Sequence, residues 1–300
     1  MSYNQEIYDR VVQHLADTRL YEAETQGNAA KAIHRHRQRV ADLLARDIRA
    51  NLEPEVTRTM TEVNSIAETA VTEYGSAAVT FNVNNLNKAT GGFFNIRKPT
   101  GVDVLQEIVG SNIGVSKTMA QQFNSIGSHE LIRLQQVIGR GILEKKLTED
   151  IIKEAVGTTN LTENQVRSLV RTSLTRTQSV AMDKVMEANS DIIMGYRFTA
   201  VLDAKTSAIC SGLDGKVFPL SEKKYRPPMH WNCRSSLVPV LKNKADLMST
   251  NSSRINKDKL AEVDGKKLMG DVPKVEDYGG WLRRQPMDVK LQHLGSEERV

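Results

Sequence analysis

Residues 162–202 read TENQVRSLVRTSLTRTQSVAMDKVMEANSDIIMGYRFTAVL, and this stretch decides the fold class. It opens with a capping-box pattern at Thr162-Glu-Asn-Gln165 and continues with apolar residues at helical spacing. Those residues are Val166, Leu169, Val170, Leu174, Ala181 and Val185. From Ile192 onward the stretch is rich in β-branched and aromatic residues, which favour one strand or two strands with a bend at the glycine. The stretch therefore predicts a long amphipathic helix followed by sheet.

Two shorter segments downstream complete the predicted sheet. Lys216–Phe218 and Ser236–Val240 are short and contain β-forming residues, which is typical of strands in a small sheet. A helix with one apolar face and a sheet with one apolar face bury those faces by packing together. We therefore predict an α+β fold in which the long helix packs on a small β-sheet.

The N-terminal half is predicted to be mostly helical. Apolar residues recur at helical spacing over Gln5–Asn51, where Gly27 suggests a break between two helices, and again over Pro54–Tyr74. The alternation of Val79–Val83 is typical of a short strand, and the Asn, Gly, Lys and Pro content of residues 84–101 favours a loop. The sequence thus predicts helices with one strand and one long loop before the module that carries the sheet.

Two short helices and one longer helix are predicted to follow that loop. The short ones cover Val102–Gly110 and Ser116–Phe123, and Ser128 is the predicted N-cap of the longer one. The apolar stripe of the longer helix is Leu131, Leu134, Ile138 and Ile142. A stripe at this spacing is typical of a core-facing helix rather than of a binding site.

Three regions are predicted along the chain. They are a helical N-terminal region at 1–146, a module with the sheet at 147–245, and an extended C-terminal arm at 246–300. The arm is charged and interrupted by a Ser-Thr-Asn-Ser-Ser run. Tyr278 and Trp281 stand out in it, because an aromatic residue in a polar terminal segment usually anchors that segment on the chain's own core or on a neighbouring subunit.

Charge and hydropathy narrow the class of protein. Lys and Arg total 41 against 36 Asp and Glu, so the net charge of +5 is modest for a dedicated nucleic-acid binder. The cationic run Lys31–Arg39 is expected to be a solvated helix face, with phosphate contact as the alternative.

No apolar run approaches the roughly 18 residues of a membrane span, and the first residues do not resemble a signal peptide. A cytoplasmic site of synthesis and no membrane partner are expected.

One cluster of residues could carry chemistry, and it holds both cysteines of the chain. His230 and Cys233 have the H-x-x-C spacing that lets a tight turn present imidazole and thiolate to one metal ion, and Cys210 lies upstream. A closed zinc site needs a fourth ligand. Ser207 would be a poor one, so a carboxylate such as Asp203 is the tentative candidate.

Two other interpretations of the cluster remain open. Asp-Gly at Asp214 and Gly215, and Pro-Pro at Pro227 and Pro228, can set turns in a loop held by hydrogen bonds, with the thiols packed as small apolar groups. Because the fourth ligand is missing, this interpretation is favoured over structural zinc, and the cofactor prediction is none or structural zinc. A disulfide is disfavoured in a reducing cytoplasm.

The order of these motifs is similar to a known family. Arg171-Thr172, Asn189, the run Leu-Asp-Ala-Lys-Thr-Ser-x-x-Cys-x-x-Leu-Asp-Gly and the run Pro-Pro-x-His-x-x-Cys-Arg-Ser resemble the phage Mu F-like minor head, or head-morphogenesis, proteins. The tail from Tyr278 to Pro286 and Leu294-Gly295 also resembles this family, so the resemblance covers roughly residues 160–295. Family-motif positions with an expected structural role are Arg171, Thr172, Asp214, Gly215, Pro227, Pro228 and Arg234.

The resemblance implies a structural function. It implies a minor capsid protein of a tailed phage, associated with the portal vertex or the capsid interior and acting in head assembly, DNA packaging or DNA delivery. Its implied partners are the portal protein, the major capsid protein and, by non-specific contact, packaged DNA. Many family members carry a C-x-x-C at this place, and this chain has Ser207 where the first cysteine would fall.

The alternatives are a metal-dependent nuclease and a DNA-binding adaptor within the head. The region from Asp203 to Lys244 holds eight Lys or Arg against three Asp or Glu, which would suit nearby phosphate. A nuclease needs a general base beside an open metal position, yet this region holds a single histidine. P-loop, Gly-x-Ser-x-Gly and His-Glu-x-x-His patterns are also missing from the sequence. The sequence therefore predicts that the protein is not an enzyme.

Overall fold

A computed structural model describes residues 3–99, 107, 117–242 and 277–294, with side chains described as far as residue 290. The helices of these residues are α1 Tyr3–Arg46, α2 Glu53–Ala89, α3 Met119–Leu143, α4 Thr148–Ala188, α5 Ala208–Leu213, α6 Tyr278–Arg283 and α7 Met287–Leu294. The strands are β1 Ile193–Thr199, β2 Val217–Pro219 and β3 Ser236–Leu241. The predicted α+β class is confirmed, and no helix of the described residues is long and apolar enough to cross a membrane.

The three strands form one antiparallel sheet in the order β2-β1-β3. Tyr196 pairs with Phe218 on one side and with Pro239 on the other, so β1 is the central strand. All six residues of β3 are buried. At Gly195 the strands approach so closely that an added Cβ would lie 2.1 Å from the carbonyl oxygen of Phe218. This is the physical reason for the glycine in β1, where the sequence predicted a bend.

Two compact units are found in the chain. One comprises Met1–Thr18, Tyr74–Ile108 and Thr175–Val300, counting only their described residues, and holds the sheet. The other comprises Arg19–Glu73 and Val109–Leu174 and is helical throughout its described secondary structure. The region boundaries predicted at 146/147 and 245/246 stay predictions. The arm predicted from 246 lies largely outside the described residues.

Two predictions for the N-terminal half are wrong. Helix α1 continues through Gly27, because a single glycine costs only about 1 kcal/mol in a helix and the buried residues Ala29, Ala32 and Ile33 hold the following turns. Val79–Val83 lies inside α2 and is not a strand. Val79, Val83 and Leu86 are all buried, because positions i, i+4 and i+7 share one helix face. The predicted loop begins only after Ala89.

Two predicted helix starts are also wrong. Helix α3 begins earlier than Ser128, at a capping box in which Thr118 accepts a hydrogen bond from the backbone N–H of Gln121 and the Gln121 side chain bonds the Thr118 backbone. Helix α4 begins at Thr148, so Thr162 lies in its interior. The short helix predicted at Val102–Gly110 lies outside the described residues apart from Glu107, which is helical.

Candidate metal centre and docking loop

Cys210, His230 and Cys233 meet at one point beside the sheet. Cys210 lies in α5, and the other two residues lie on the turn that precedes β3. The Cys210 Sγ lies 3.2 Å from His230 Nε2 and 3.8 Å from Cys233 Sγ. The three candidate ligand atoms all lie within 4.8 Å of one another. The structure thus brings together three of the four residues that the sequence predicted as tentative ligands.

A tight turn positions the histidine and the second cysteine. The backbone N–H of Cys233 donates to the carbonyl of His230 at 3.2 Å, and Asn232 between them has a left-handed φ of 62°. Asparagine adopts this conformation more readily than most residues. The Nδ1 of His230 donates to the carbonyl of Trp231 at 2.7 Å, because a carbonyl oxygen can only accept. That bond leaves the Nε2 lone pair directed at the cluster.

The two thiols differ sharply in acidity. A hydrogen bond from the Cys210 thiol lowers the pKa of Cys233 to about 5; burial opposes this, and bonds from the backbone N–H groups of Met229 and Ser235 add to it. The same bond to Cys233, together with burial, raises the pKa of Cys210. The pair therefore holds one proton and one negative charge, carried mainly by Cys233.

The donor set fits a zinc ion. Zn–S distances of about 2.3 Å and Zn–N distances of about 2.0 Å in a tetrahedron place two sulfurs about 3.8 Å apart and sulfur and nitrogen about 3.5 Å apart. The observed separations are 3.8 Å and 3.2 Å. A histidine ligand usually donates its other N–H to a carbonyl, as His230 does to Trp231. Cys210, His230 and Cys233 would hold the ion, which would supply a cross-link between α5 and the turn.

Asp203, the tentative fourth ligand, is not part of this cluster. Both of its carboxylate oxygens bond to the guanidinium of Arg234, at 2.5 and 2.6 Å. Burial opposes ionisation of Asp203, but the hydrogen bonds and charge of Arg234 outweigh it and lower the pKa of the carboxyl group. This two-point bond ties the segment before α5 to the residue after Cys233. The family-motif residue Arg234 therefore has a structural contact.

Asp214 and Gly215 close the turn between α5 and β2. Asp214 accepts the backbone N–H of Ala200 and that of Tyr278, both at 2.7 Å, and burial raises the pKa of its carboxyl group. Gly215 has a φ of 77°, which is favourable only for a residue without a side chain. An added Cβ there would also lie 3.2 Å from the Arg197 guanidinium.

The Pro227-Pro228 segment lies next to a residue that clamps it to the long helix. The peptide bond between the two prolines is cis. The buried guanidinium of Arg226 donates to the Asp183 carboxylate of α4 at 2.8 and 2.9 Å, and it stacks 3.7 Å from the centre of the Tyr196 ring. Thr175 of α4 also donates to the carbonyl of Cys233 at 2.7 Å. Helix α4 therefore holds both ends of this loop.

Two other motif residues on α4, and Asn189 directly after it, make structural contacts. Arg171 forms an ion pair with Glu22 of α1, and the hydroxyl of the buried Thr172 donates to the carbonyl of Ser168. The amide of Asn189 both donates to and accepts from the backbone of Arg97, at 2.9 Å in each direction. The contacts of Arg171 and Asn189 join chain segments that are far apart in sequence.

Tyr278 anchors the start of the described part of the arm on the chain's own module. Its side chain is buried, and its hydroxyl donates to the carbonyl of Asp203 at 3.0 Å. Of the two predicted anchoring sites, the chain's own core and a neighbouring subunit, this contact is with the chain's own module, and partner anchoring by Tyr278 stays a prediction. Trp281 packs 5.0 Å from the Tyr278 ring and remains partly exposed. Partner anchoring by Trp281 stays a prediction.

The cationic run Lys31–Arg39 is more enclosed than expected. Arg35 pairs with Glu62, Arg37 bonds to Thr159 and Asn160, and Arg39 bonds to Glu55 at 2.6 Å. The expectation of a plain solvated face is therefore wrong for Arg37 and Arg39, which are 25% and 27% exposed and join helices of the helical unit, whereas Arg35 is exposed. The same pairing leaves little uncompensated charge for phosphate.

The helical unit contains a buried network of ionisable side chains that the sequence did not predict. His36 is fully buried, with Glu55 3.3 Å from its Nδ1 and Glu130 3.8 Å from its Nε2. Glu130 is also fully buried and bonds to Arg133 at 2.8 Å and to the hydroxyl of Thr162. The only available signal was a histidine inside a cationic helix with glutamates on other predicted helices.

The fold and the site define an α+β module in which a Cys-His turn is tied to a short helix beside a three-stranded sheet. Residues 131–238 of this chain match the family model described as Phage Mu protein F like protein. The resemblance seen in the sequence is confirmed over this part, and it indicates a phage head-morphogenesis protein of a generally structural family. Comparison with curated proteins and with solved structures finds no match.

Proposed function

We propose that this chain is a minor capsid protein of a tailed phage, bound at the portal vertex and acting in head assembly, DNA packaging or DNA delivery. The family match over residues 131–238 supports this function. The observation that carries the docking role is the loop between Asp203 and Arg234, which is fixed at both ends and along its length. A rigid loop binds at lower entropic cost than a mobile one, so it suits a docking element.

The cluster of Cys210, His230 and Cys233 is proposed to hold structural zinc as the staple of this docking loop. Its support is the convergence of three donor atoms within 4.8 Å, with the histidine oriented by a backbone carbonyl. In this role the metal performs no reaction. It keeps α5 and the Cys-His turn in one arrangement, so that side chains next to the ligands in sequence face outward.

Two of those outward side chains are large and apolar. Ile209 is 53% exposed and Trp231 is 47% exposed, and each is the chain neighbour of a cluster ligand. Exposed tryptophan is enriched among the residues that dominate protein–protein interfaces. We propose that Ile209 and Trp231 contact the portal protein or the major capsid protein. Structural docking is thus favoured over catalysis for the same segment.

Three of the basic side chains of the module are paired with acidic ones and therefore give less support to a DNA-binding adaptor. Lys223 binds Asp183 and Glu187, Arg226 binds Asp183, and Arg234 binds Asp203. Paired in this way, they offer little net charge to phosphate. Contact with packaged DNA remains proposed as non-specific and secondary to docking.

Replacing Trp231 with alanine should lower the number of copies of this protein in heads purified from the phage that encodes it. The reason is the loss of a large apolar contact at the edge of the stapled loop, and quantitative mass spectrometry of the heads measures it. Trp281→Ala tests the arm in the same way. Leu143→Ala is the matched control, because Leu143 is a large apolar residue that is 84% exposed and lies at the end of α3, outside the module that carries the sheet. Unchanged incorporation of both tryptophan variants would exclude docking through these residues.

A further inference from the structure

Cys210, His230 and Cys233 would fill three of the four ligand positions of a tetrahedral metal site. The hydroxyl of Ser207 lies next to His230, one of these three. Ser207 is the N-cap of α5, and its Oγ accepts the backbone N–H of Cys210 at 3.3 Å. The same oxygen lies 2.8 Å from His230 Nε2, the nitrogen that also faces the Cys210 sulfur. Because Nδ1 of His230 carries the proton, the Ser207 hydroxyl donates to Nε2, and the capping geometry places its oxygen next to that ligand nitrogen.

The side of the cluster that holds Ser207 is more exposed to solvent than the side that holds the two cysteines. Both cysteines are buried, whereas Ser207 and His230 are partly exposed. The cluster thus has a buried sulfur side and a more accessible side formed by nitrogen and oxygen.

We propose that the Ser207 hydroxyl supplies the fourth ligand of the metal centre, which is a Cys₂HisSer site with an oxygen corner on its accessible side. This inference rests on the proposed zinc staple and adds a ligand to it. Hydroxyl oxygen is neutral and binds zinc more weakly than thiolate does. The site therefore carries two thiolate charges against the two of the ion and is more readily exchanged than a site with three thiolates.

Competition with a chromophoric zinc chelator tests the ligand directly, using the full chain. Ser207→Gly removes the hydroxyl but costs the helix cap only a few tenths of a kcal/mol. We expect this variant to bind zinc about 10-fold more weakly than the wild type, the size of effect seen when a supporting group of a metal site is lost. Ser207→Thr keeps hydroxyl and cap, and should bind zinc as the wild type does.

Replacing Ser207 with cysteine tests the same position by adding a third thiolate. It should tighten zinc binding, and with Co²⁺ as probe the sulfur-to-metal charge-transfer absorption should rise from that of two thiolates to that of three. If the wild type binds one zinc ion and Ser207→Gly binds it equally tightly, the Ser207 ligand is refuted while the staple stands. If the wild type binds no zinc, the staple fails and the inference fails with it.

Discussion

Replacing Glu130 with leucine is expected to lower the free energy of unfolding of the helical unit by about 3 kcal/mol or more. Glu130 has no exposed side-chain surface and bonds to Arg133 and Thr162. Leucine has a similar volume, so the expected loss comes from the removed charge rather than from a cavity. It leaves the buried end of Arg133 without its carboxylate.

A matched control for this variant lies on the same pair of helices. Glu154 of α4 pairs with Arg140 of α3, but the Arg140 side chain is 55% exposed and that of Glu154 is 35% exposed, whereas Glu130 has no exposed surface. Exposed ion pairs contribute little to stability, so Glu154→Leu should leave the denaturant midpoint almost unchanged. Urea unfolding followed by circular dichroism compares the two variants. Equal midpoints for Glu130→Leu and Glu154→Leu would show that the buried network does not stabilise the unit.

The buried carboxylates of Glu55 and Glu130 also predict how the stability of the fold changes with pH. Burial raises the pKa values of Glu55 and Glu130, but hydrogen bonds to both carboxylates outweigh it, so both values are lowered in the folded chain. Groups of this kind stabilise the fold above their unfolded pKa, and the stabilisation is lost as the pH falls through the folded pKa. Acid should therefore destabilise the wild type more steeply than Glu130→Leu.

Zinc should stabilise the wild-type module by about 2.7 kcal/mol when its free concentration is 100 times the dissociation constant. The physical reason is that the ion binds the folded arrangement of Cys210, His230 and Cys233, which the unfolded chain does not hold together. Thermal unfolding at increasing zinc concentration, followed by a probe of the sheet, measures this effect. Chelation should reverse it.

Cys233→Ser is the control for that titration. It removes one buried sulfur with little change in volume, so the variant should show no zinc-dependent rise in its midpoint and a zinc stoichiometry near zero. A wild-type midpoint that does not respond to zinc, or a variant that responds equally, would remove the metal staple. The family match over residues 131–238 would be unaffected by that result.

The sequence predicted best where local chemistry decides the structure. All three strands were anticipated, because β-branched and aromatic residues are concentrated in them. The ligand cluster was anticipated from the H-x-x-C spacing and the upstream cysteine. The predicted helix starts at Ser128 and Thr162 were wrong because tertiary contacts override a local pattern. The hydroxyl of Thr162, predicted as a cap, instead donates to Glu130 on another helix.

Contacts between distant segments could not be predicted from one sequence. Nothing in the spacing pairs Asp203 with Arg234, or brings Ser207 within 2.8 Å of His230. Val79–Val83 shows a related difficulty, because residues alternating at i, i+2 and i+4 also place their first and last members on one helix face. Buried asparagines beside them at positions 82 and 85 concealed the helical pattern.

The central claim is that this chain is a component of the phage head that docks near the portal. A cryo-electron microscopy map of intact heads, compared with heads from a phage lacking the protein, tests it most directly. We predict density for the three-stranded module at the portal vertex, with the loop of Ile209 and Trp231 against a neighbouring subunit, and loss of that density in the deletion. Identical maps, or heads without the protein by mass spectrometry, would contradict the claim.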